Sequence, residues 1–199
     1  MPDDGLATVR RRLRAARRAF GAAERAAAAT AVDAALARIG LPRPRSRIAA
    51  YRAMDGEIDP AVVVQRALAI GCQVYLPVIT SFRGRRMRFA PCGPPVKRAP
   101  AASDVARWLD LVLVPLVGFD EQGNRLGMGA GFYDRHFAFL RHRRAWHRPL
   151  LIGLGFELQR VAALPARPHD VPLWGIVTER GIHGRTAGLR GRQAVESIS

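Results

Sequence analysis

The residues best suited to chemistry in this chain lie in one run, Asn124-Arg125-Leu126-Gly127-Met128-Gly129-Ala130-Gly131-Phe132-Tyr133-Asp134-Arg135. Glycines at alternate positions let a backbone approach an anion closely and turn its N–H groups outward. Arg125 and Arg135 add positive charge at either end. The run follows a buried apolar segment and precedes a helical one, which is where α/β proteins bind phosphates. Two familiar phosphate motifs are excluded. The Gly-Lys-Ser/Thr of a P-loop is absent, and Gly127-Met128-Gly129-Ala130-Gly131 neither has the spacing of a dinucleotide fingerprint nor sits near the first strand. Spacing alone leaves an ordinary flexible turn as the other reading.

The surrounding elements must place this loop. Leu6 to Gly40, rich in Ala, Arg and Leu, reads as two helices broken near Gly21, with Thr8 as cap of the first and Gly40-Leu41-Pro42 ending the second. Arg10, Arg14, Arg17 and Arg18 recur at helical spacing and share one basic face, either solvated or anion-binding. Strands are expected at Arg47–Tyr51, Gln73–Ile79 (interrupted at Pro77), Arg85–Ala90, Leu109–Val114, Leu150–Phe156 and Trp174–Thr178. Helices are expected at Ala61–Ile70 and Tyr133–Arg143, with a proline-rich loop at Pro91–Pro100. Leu109-Asp110-Leu111-Val112-Leu113-Val114 is nearly continuous in apolar residues, as in a strand covered on both faces. Strands alternating with helices predict an α/β layered fold with a mostly parallel central sheet flanked by helices. Residues 1–183 read as one domain and 184–199 as a frayed tail.

Composition bounds the function more loosely. The 199 residues are 49% hydrophobic and 24% charged, a globular profile with enough apolar material for a core. No apolar run is long enough to span a bilayer, and the acidic start Met1-Pro2-Asp3-Asp4 lacks the pattern of a secretory signal, so a cytoplasmic location is expected. Cys72 and Cys92 have neither metal-ligand nor disulfide-framework spacing and read as small, reduced, partly buried side chains. The net charge is +16, and among 32 basic residues Lys97 is the single lysine. This bias fits an anionic partner, or a genome that favours Arg over Lys.

The run from Arg125 to Arg135 resembles the signature of the 5-formyltetrahydrofolate cyclo-ligases, also called methenyltetrahydrofolate synthetases. The resemblance extends along the chain. Ile48-Ala49-Ala50-Tyr51 with Gly56-Glu57-Ile58-Asp59, Val74-Tyr75-Leu76-Pro77-Val78, Leu113 to Asp120, and His169-Asp170 with Ile176-Val177-Thr178-Glu179 are similar to the family's segments in order and spacing, from about Thr8 to Gly181. It implies the Rossmann-like three-layer sandwich form of the α/β fold, and an ATP- and Mg²⁺-dependent conversion of 5-formyltetrahydrofolate to 5,10-methenyltetrahydrofolate, with ADP and phosphate released through a phosphorylated formyl intermediate. It further implies that Arg10, Arg17 and the residues Arg125, Leu126, Gly127, Met128, Gly129, Ala130, Gly131, Phe132 and Tyr133 contact ATP. Glu57 and Met128 to Phe132 would meet the folate, Arg125 and Tyr133 would be catalytic, and Asp134 and Asp170 would hold Mg²⁺. His169 is expected to be structural.

Three positions depart from the family. Leu6 stands where relatives carry a lysine, so Arg11 or Arg14 is expected to replace its charge. Phe132 stands where many have tyrosine, and Met128 where glycine or a basic residue is common. The expected partner is a reduced folate, with or without a polyglutamate tail, bound by a monomer or homodimer. A second reading is a basic nucleic-acid-associated protein that keeps this scaffold without ligase activity, although no nucleic-acid motif is present.

Overall fold

Consecutive apolar residues in an extended strand point to alternate sides, so both sides must be covered. Strand β4 (Leu111–Pro115) meets this condition at the centre of the sheet. Leu111 and Leu113 join one core with Val32 and Leu36 of α2 (Ala22–Arg38) and Val63 and Ala67 of α3 (Ala61–Ala69). Val112 and Val114 join the opposite core with Val105 and Ala106 of α4 (Val105–Trp108) and with Phe137. The three-layer α/β arrangement follows from this double coverage.

The computed structural model describes residues 3–92, 105–142 and 148–184. Most of the expected Pro91–Pro100 loop and of the tail after Gly184 lies outside these residues. A seven-stranded sheet runs β3-β2-β1-β4-β7-β8-β9, with β1 Arg47–Ala49, β2 Gln73–Ser81, β3 Arg86–Pro91, β7 Leu150–Leu154, β8 Gly175–Thr178 and β9 Gly181–His183. The five strands β2-β1-β4-β7-β8 are parallel, and an antiparallel strand closes each edge. A two-stranded hairpin, β5 (Gly118–Phe119) with β6 (Arg125–Leu126), stands apart from the sheet. Among the described residues no helix is long and apolar enough to cross a membrane. Cys72 is buried and Cys92 is exposed, and both are free thiols.

Several local expectations change. The first helix, α1, spans Asp3–Arg18, so Thr8 lies inside it and is not its cap. Leu6 and Val9 pack with Leu126, Val161 and Leu164, which carries the helix upstream of Thr8. Strand β2 continues through Pro77 because β1 pairs only as far as Tyr75; beyond it one edge is open and a missing N–H leaves no ladder bond unmade. The helix expected at Tyr133–Arg143 is α5 (Phe132–His136) followed by a 3-10 helix, Ala138–His142. Tighter winding brings residues three apart onto one side, and Phe137 and Leu140 accordingly face the same core. Strand β9 and the β5–β6 hairpin were not foreseen, being too short to show periodicity.

Two glycines shape the sheet surface beside the site. Leu116, just past β4, lies across Gly153 and Gly155, where an added Cβ would come within 2.7 and 2.8 Å of its methyl carbons. Gly153 would also meet Leu173 and Ile176 at 2.8 and 3.1 Å. Gly153→Ala is expected to destabilise the protein by about 1–3 kcal/mol through overpacking. That lowers the thermal midpoint by roughly 2–12 °C for a chain of this size; an unchanged midpoint in a calorimetric scan would show that Leu116 can move aside.

Candidate active site

Strand order reverses at β1, since β2 lies on one side of it and β4 on the other. Connections leaving such neighbours diverge and open a crevice at the carboxyl ends of the strands. A cavity of about 740 Å³ lies there, lined by Tyr51 after β1, Pro77 and Ile79 of β2, and Val114 and Pro115 of β4. The glycine run forms another wall, Leu6 and Arg10 of α1 a third, and Glu57 contributes a carboxylate.

The loop reaches the cavity from a rigid stem. Asp120 is buried, and its carboxylate accepts hydrogen bonds from the backbone N–H groups of Gln122 (3.1 Å), Asn124 (2.9 Å) and Leu164 (2.9 Å), and from Asn124 Nδ2 (2.9 Å). This closes the β5–β6 turn and ties it to the 161–164 segment. Beyond Leu126 the backbone takes left-handed conformations at Gly129 (φ 98°) and Gly131 (φ 66°), which side chains other than glycine rarely adopt. The N–H groups of Met128, Gly129 and Ala130 make no backbone hydrogen bond among the described residues. Arg10 Nε donates to Gly127 O at 3.0 Å, holding the loop against α1. With only five residues, α5 offers little dipole, so an anion at this loop would rest on the loop amides and arginines.

The opposite half-site is the turn Asp55-Gly56-Glu57. Asp55 (φ 55°) and Gly56 (φ 74°) are both left-handed, and Gly56 lies so close to α1 that an added Cβ would stand 3.1 Å from the Arg17 carbonyl oxygen. The Asp55 carboxylate pairs with Arg14 (2.6 Å), Arg17 (2.9 Å) and Arg18. Burial works to raise its pKa, but hydrogen bonds from Arg14 and Arg18 and the charges of Arg14 and Arg17 prevail and hold it at about 2. Glu57 is the reverse case. Burial raises its pKa, and neither the Met54 N–H donating to Oε2 (3.2 Å) nor the Arg17 charge 3.8 Å from Oε1 offsets that cost. Burial also raises the phenols of Tyr51 and Tyr133, with the Glu57 charge pushing both further up. Tyr51 donates to Ile58 O at 2.6 Å, and both phenols are neutral donors at physiological pH.

At the far end Arg125 pairs with Asp134 Oδ1 and donates to Val171 O; the Val171 N–H donates to the same Asp134 oxygen at 3.0 Å. Asp134 Oδ2 makes no hydrogen bond among the described residues, and Asp134 lines the cavity. Asp170 also lines it, with Oδ2 accepting from the Arg167 N–H at 3.0 Å. His169 is exposed, 3.9 Å from Asp170. No group of three or more His, Cys, Asp or Glu side chains is placed to hold a metal among the described residues. Two hard carboxylates fit Mg²⁺ carried in on phosphates, which keeps several waters, better than a fully protein-ligated ion.

Of the residues singled out in the sequence, Arg10, Glu57, Asp170 and all of Arg125 to Asp134 line this cavity. Arg17 does not. It is fully buried beneath the cleft, its N–H groups directed to Asp55 and to Leu116 O, so the basic face of α1 is divided: Arg10 lines the cavity, while Arg14, Arg17 and Arg18 are engaged with Asp55. Nor do Arg11 and Arg14 line the cavity to replace the lysine that Leu6 displaces; Leu6 itself is 2% exposed against Leu126 and Leu164. Arg52 and Arg85, not singled out in the sequence, do line it, and with Arg135 their guanidinium groups have no partner among the described residues. Only their place in three dimensions distinguishes them from the other arginines. Asp120 had a local signal, an Asp followed by Gly123-Asn124 as in a side-chain-closed turn.

Residues 4–179 match the model of the 5-formyltetrahydrofolate cyclo-ligase family. A 5-formyltetrahydrofolate cyclo-ligase of Escherichia coli K12 is 33% identical over 143 residues, covering 66% of this chain and 76% of that protein. The Haemophilus influenzae enzyme of the same name is 33% identical over 151 residues, covering 68% and 76%. Among solved structures, a 5,10-methenyltetrahydrofolate synthetase from Mycoplasma pneumoniae superposes with a TM-score of 0.71 at 22% identity, over 87% of this chain and 98% of that one. One from Aquifex aeolicus gives 0.69 at 23%, over 92% and 94%. With a matched span that runs from α1 to the end of β8, the chain belongs to the 5-formyltetrahydrofolate cyclo-ligase family of enzymes.

Proposed function

We propose that this protein converts 5-formyltetrahydrofolate to 5,10-methenyltetrahydrofolate at the expense of ATP, with Mg²⁺. The observation that carries this reading is the meeting of two unlike half-sites in one cavity: a glycine loop whose amides are unpaired among the described residues, and a buried carboxylate, Glu57. The loop suits phosphate oxygens. Glu57 suits the amino-pyrimidinone edge of a pterin, which presents N–H donors side by side.

The chemistry divides between them. An amide oxygen is a poor leaving group, so the formyl oxygen first attacks the γ-phosphorus and ADP departs. N10 then attacks the activated formyl carbon and releases its proton to water, the C–O bond breaks, phosphate leaves, and the ring closes as the methenyl cation. Phosphoryl transfer needs alignment and charge neutralisation more than covalent help. The amides of Met128 to Ala130 and the free guanidinium N–H groups of Arg10 would align the phosphate chain. Arg125, held at a fixed angle by Asp134 Oδ1 and Val171 O, would face the transferring group, and Tyr133 would donate a hydrogen bond to it from a neutral phenol. Asp134 Oδ2 and Asp170 would hold Mg²⁺, which neutralises charge on the β- and γ-phosphates when bound. Arg52 and Arg85, which line the cavity with no guanidinium partner among the described residues, would take the carboxylates of a glutamate or polyglutamate tail.

Turnover of folinic acid with ATP and Mg²⁺, followed by the near-ultraviolet absorbance of the methenyl product, tests the reading. Product should form with both additions and cease with a chelator; no product at any enzyme concentration would reject it. Replacing Arg52 and Arg85 together by Gln is expected to raise KM for a polyglutamylated substrate several-fold more than for the monoglutamate. Equal effects on both would remove these arginines from tail recognition.

Glu57→Gln is expected to raise KM for folinic acid roughly 10- to 100-fold, the loss of a charged hydrogen-bonding partner. Stability should respond in the other direction. The folded-state pKa of Glu57 lies above its unfolded value, so between the two the folded protein holds the extra proton. The wild type therefore gains stability relative to Glu57→Gln as pH falls through the raised value, and loses it as pH rises. Thermal midpoints of both proteins from pH 8 to pH 5 check the sign; a difference independent of pH would mean that Glu57 is not strained by burial.

A further inference from the structure

We infer that Arg17 is a positioning residue that fixes the distance between the two half-sites and couples the binding of one ligand to the other; the inference rests on the two-ligand reading above. Arg17 is fully buried on the inner side of α1. Its Nε donates to Asp55 O at 2.8 Å and its Nη2 to Asp55 Oδ2 at 2.9 Å, while Nη1 donates to Leu116 O at 3.1 Å. Nη2 also stands 3.8 Å from Glu57 Oε1. One rigid, planar fork therefore grips two segments 61 residues apart in the chain, at Asp55 and Leu116.

Each grip leads to a half-site. Asp55 lies two residues before Glu57, in a turn whose left-handed backbone leaves it few alternative shapes. Leu116 opens the segment that passes through β5 and β6 to the glycine loop, and it is fixed on its other side by Gly153 and Gly155. Its carbonyl is also held by Gln159 Nε2 at 2.9 Å. The helix carrying Arg17 is bound near its middle to the loop through Arg10 and Gly127 O, and at its C-terminal end to the turn through Gly56.

A guanidinium is an unusual choice here. An apolar side chain of similar volume would hold the helix in place as firmly, because desolvating a charge consumes much of what its partners return. What the fork adds is angular definition: acceptors on two segments must keep fixed directions relative to one plane. If the turn shifts when a folate engages Glu57, Leu116 and the loop stem shift with it, and the converse holds for a nucleotide. The reaction requires this, since a formyl oxygen and a γ-phosphorus must meet in line at close range.

The test is linkage measured by calorimetry. Folinic acid is titrated into the full-length protein with and without a non-hydrolysable ATP analogue and Mg²⁺, at a temperature well below each variant's thermal midpoint. In the wild type the analogue should tighten folinic acid by roughly fivefold or more, within the ordinary range of coupling between sites. Arg17→Lys keeps the charge but cannot span both acceptors, and should bring the coupling factor to about one. Asp55→Asn alters a partly exposed group and leaves the Leu116 bond in place. It loosens the grip on the turn and should lower the coupling factor to about twofold or less.

A lower midpoint for Arg17→Lys with the coupling intact would overturn the inference, because Arg17 would then be structural only. So would a wild type that binds both ligands independently. If Arg17→Lys does not fold, Asp55→Asn decides: a coupling factor equal to that of the wild type also overturns it. A wild-type protein that binds neither ligand and forms no methenyl product would instead sink the proposed function.

Discussion

A guanidinium removed from water must direct its N–H groups at acceptors, and the position of Arg17 sets where three parts of this molecule can lie. Helix α1 carries it, the Asp55-Gly56-Glu57 turn supplies two acceptors, and the chain leaving β4 supplies the third. None of the three is part of the parallel sheet. The sheet opens a crevice at its strand-order reversal, and α1 is the strap that gives the crevice its facing walls. Arg10, two turns earlier on the same helix, repeats the device with the Gly127 carbonyl.

Glycine serves two opposite purposes around this strap. Gly153, Gly155 and Gly56 are places where another group needs the space a side chain would fill: Leu116 in the first two cases, the α1 backbone in the third. In the loop nothing lies within 4 Å of a Cβ added at Gly127 or Gly131. There the requirement is a left-handed backbone at Gly129 and Gly131 that leaves the neighbouring amides unpaired. Close packing below and an open, polar lip above are what a site needs if it is to stay rigid while bare amides await a ligand.

The sequence made the central strands and the loop legible because each carries a signal longer than the noise. Leu111-Val112-Leu113-Val114 demanded cover on both faces, and Gly127, Gly129 and Gly131 between two arginines demanded an anion-like occupant. The site residues matched by family resemblance mostly fall on one cavity for the same reason: they lie in contiguous segments that the fold carries as units. The resemblance implies an ATP contact for Arg17, yet Arg17 is buried outside the cavity lining; helical spacing reports which residues share a face, and not which of them lies over the core. Arg52 and Arg85 were invisible in a chain with a single lysine and arginines throughout; only the fold shows which of them border the cavity without a partner. The edge strand β9 and the β5–β6 pair are set by tertiary contacts, with too few residues for a period to emerge.

Electrostatics divides the site into a settled part and a strained part. Asp55, with arginines on three sides, is held as a carboxylate at any physiological pH and serves the fold. Glu57, two residues on, is kept from water without full compensation, its one amide donor and the distant Arg17 charge being too little. Fold stability alone would not retain such a group, since neutral side chains that share the Met54 hydrogen bond would be less costly to bury. A carboxylate left short of donors beside a cavity is instead matched to something that brings donors with it, as the edge of a pterin does. The same holds, with the sign reversed, for the guanidinium groups of Arg52, Arg85 and Arg135, which have no partner among the described residues. The unmet demands in this structure face a common space, and a ligand with a hydrogen-bond-donating ring at one end and anionic groups at the other answers both kinds.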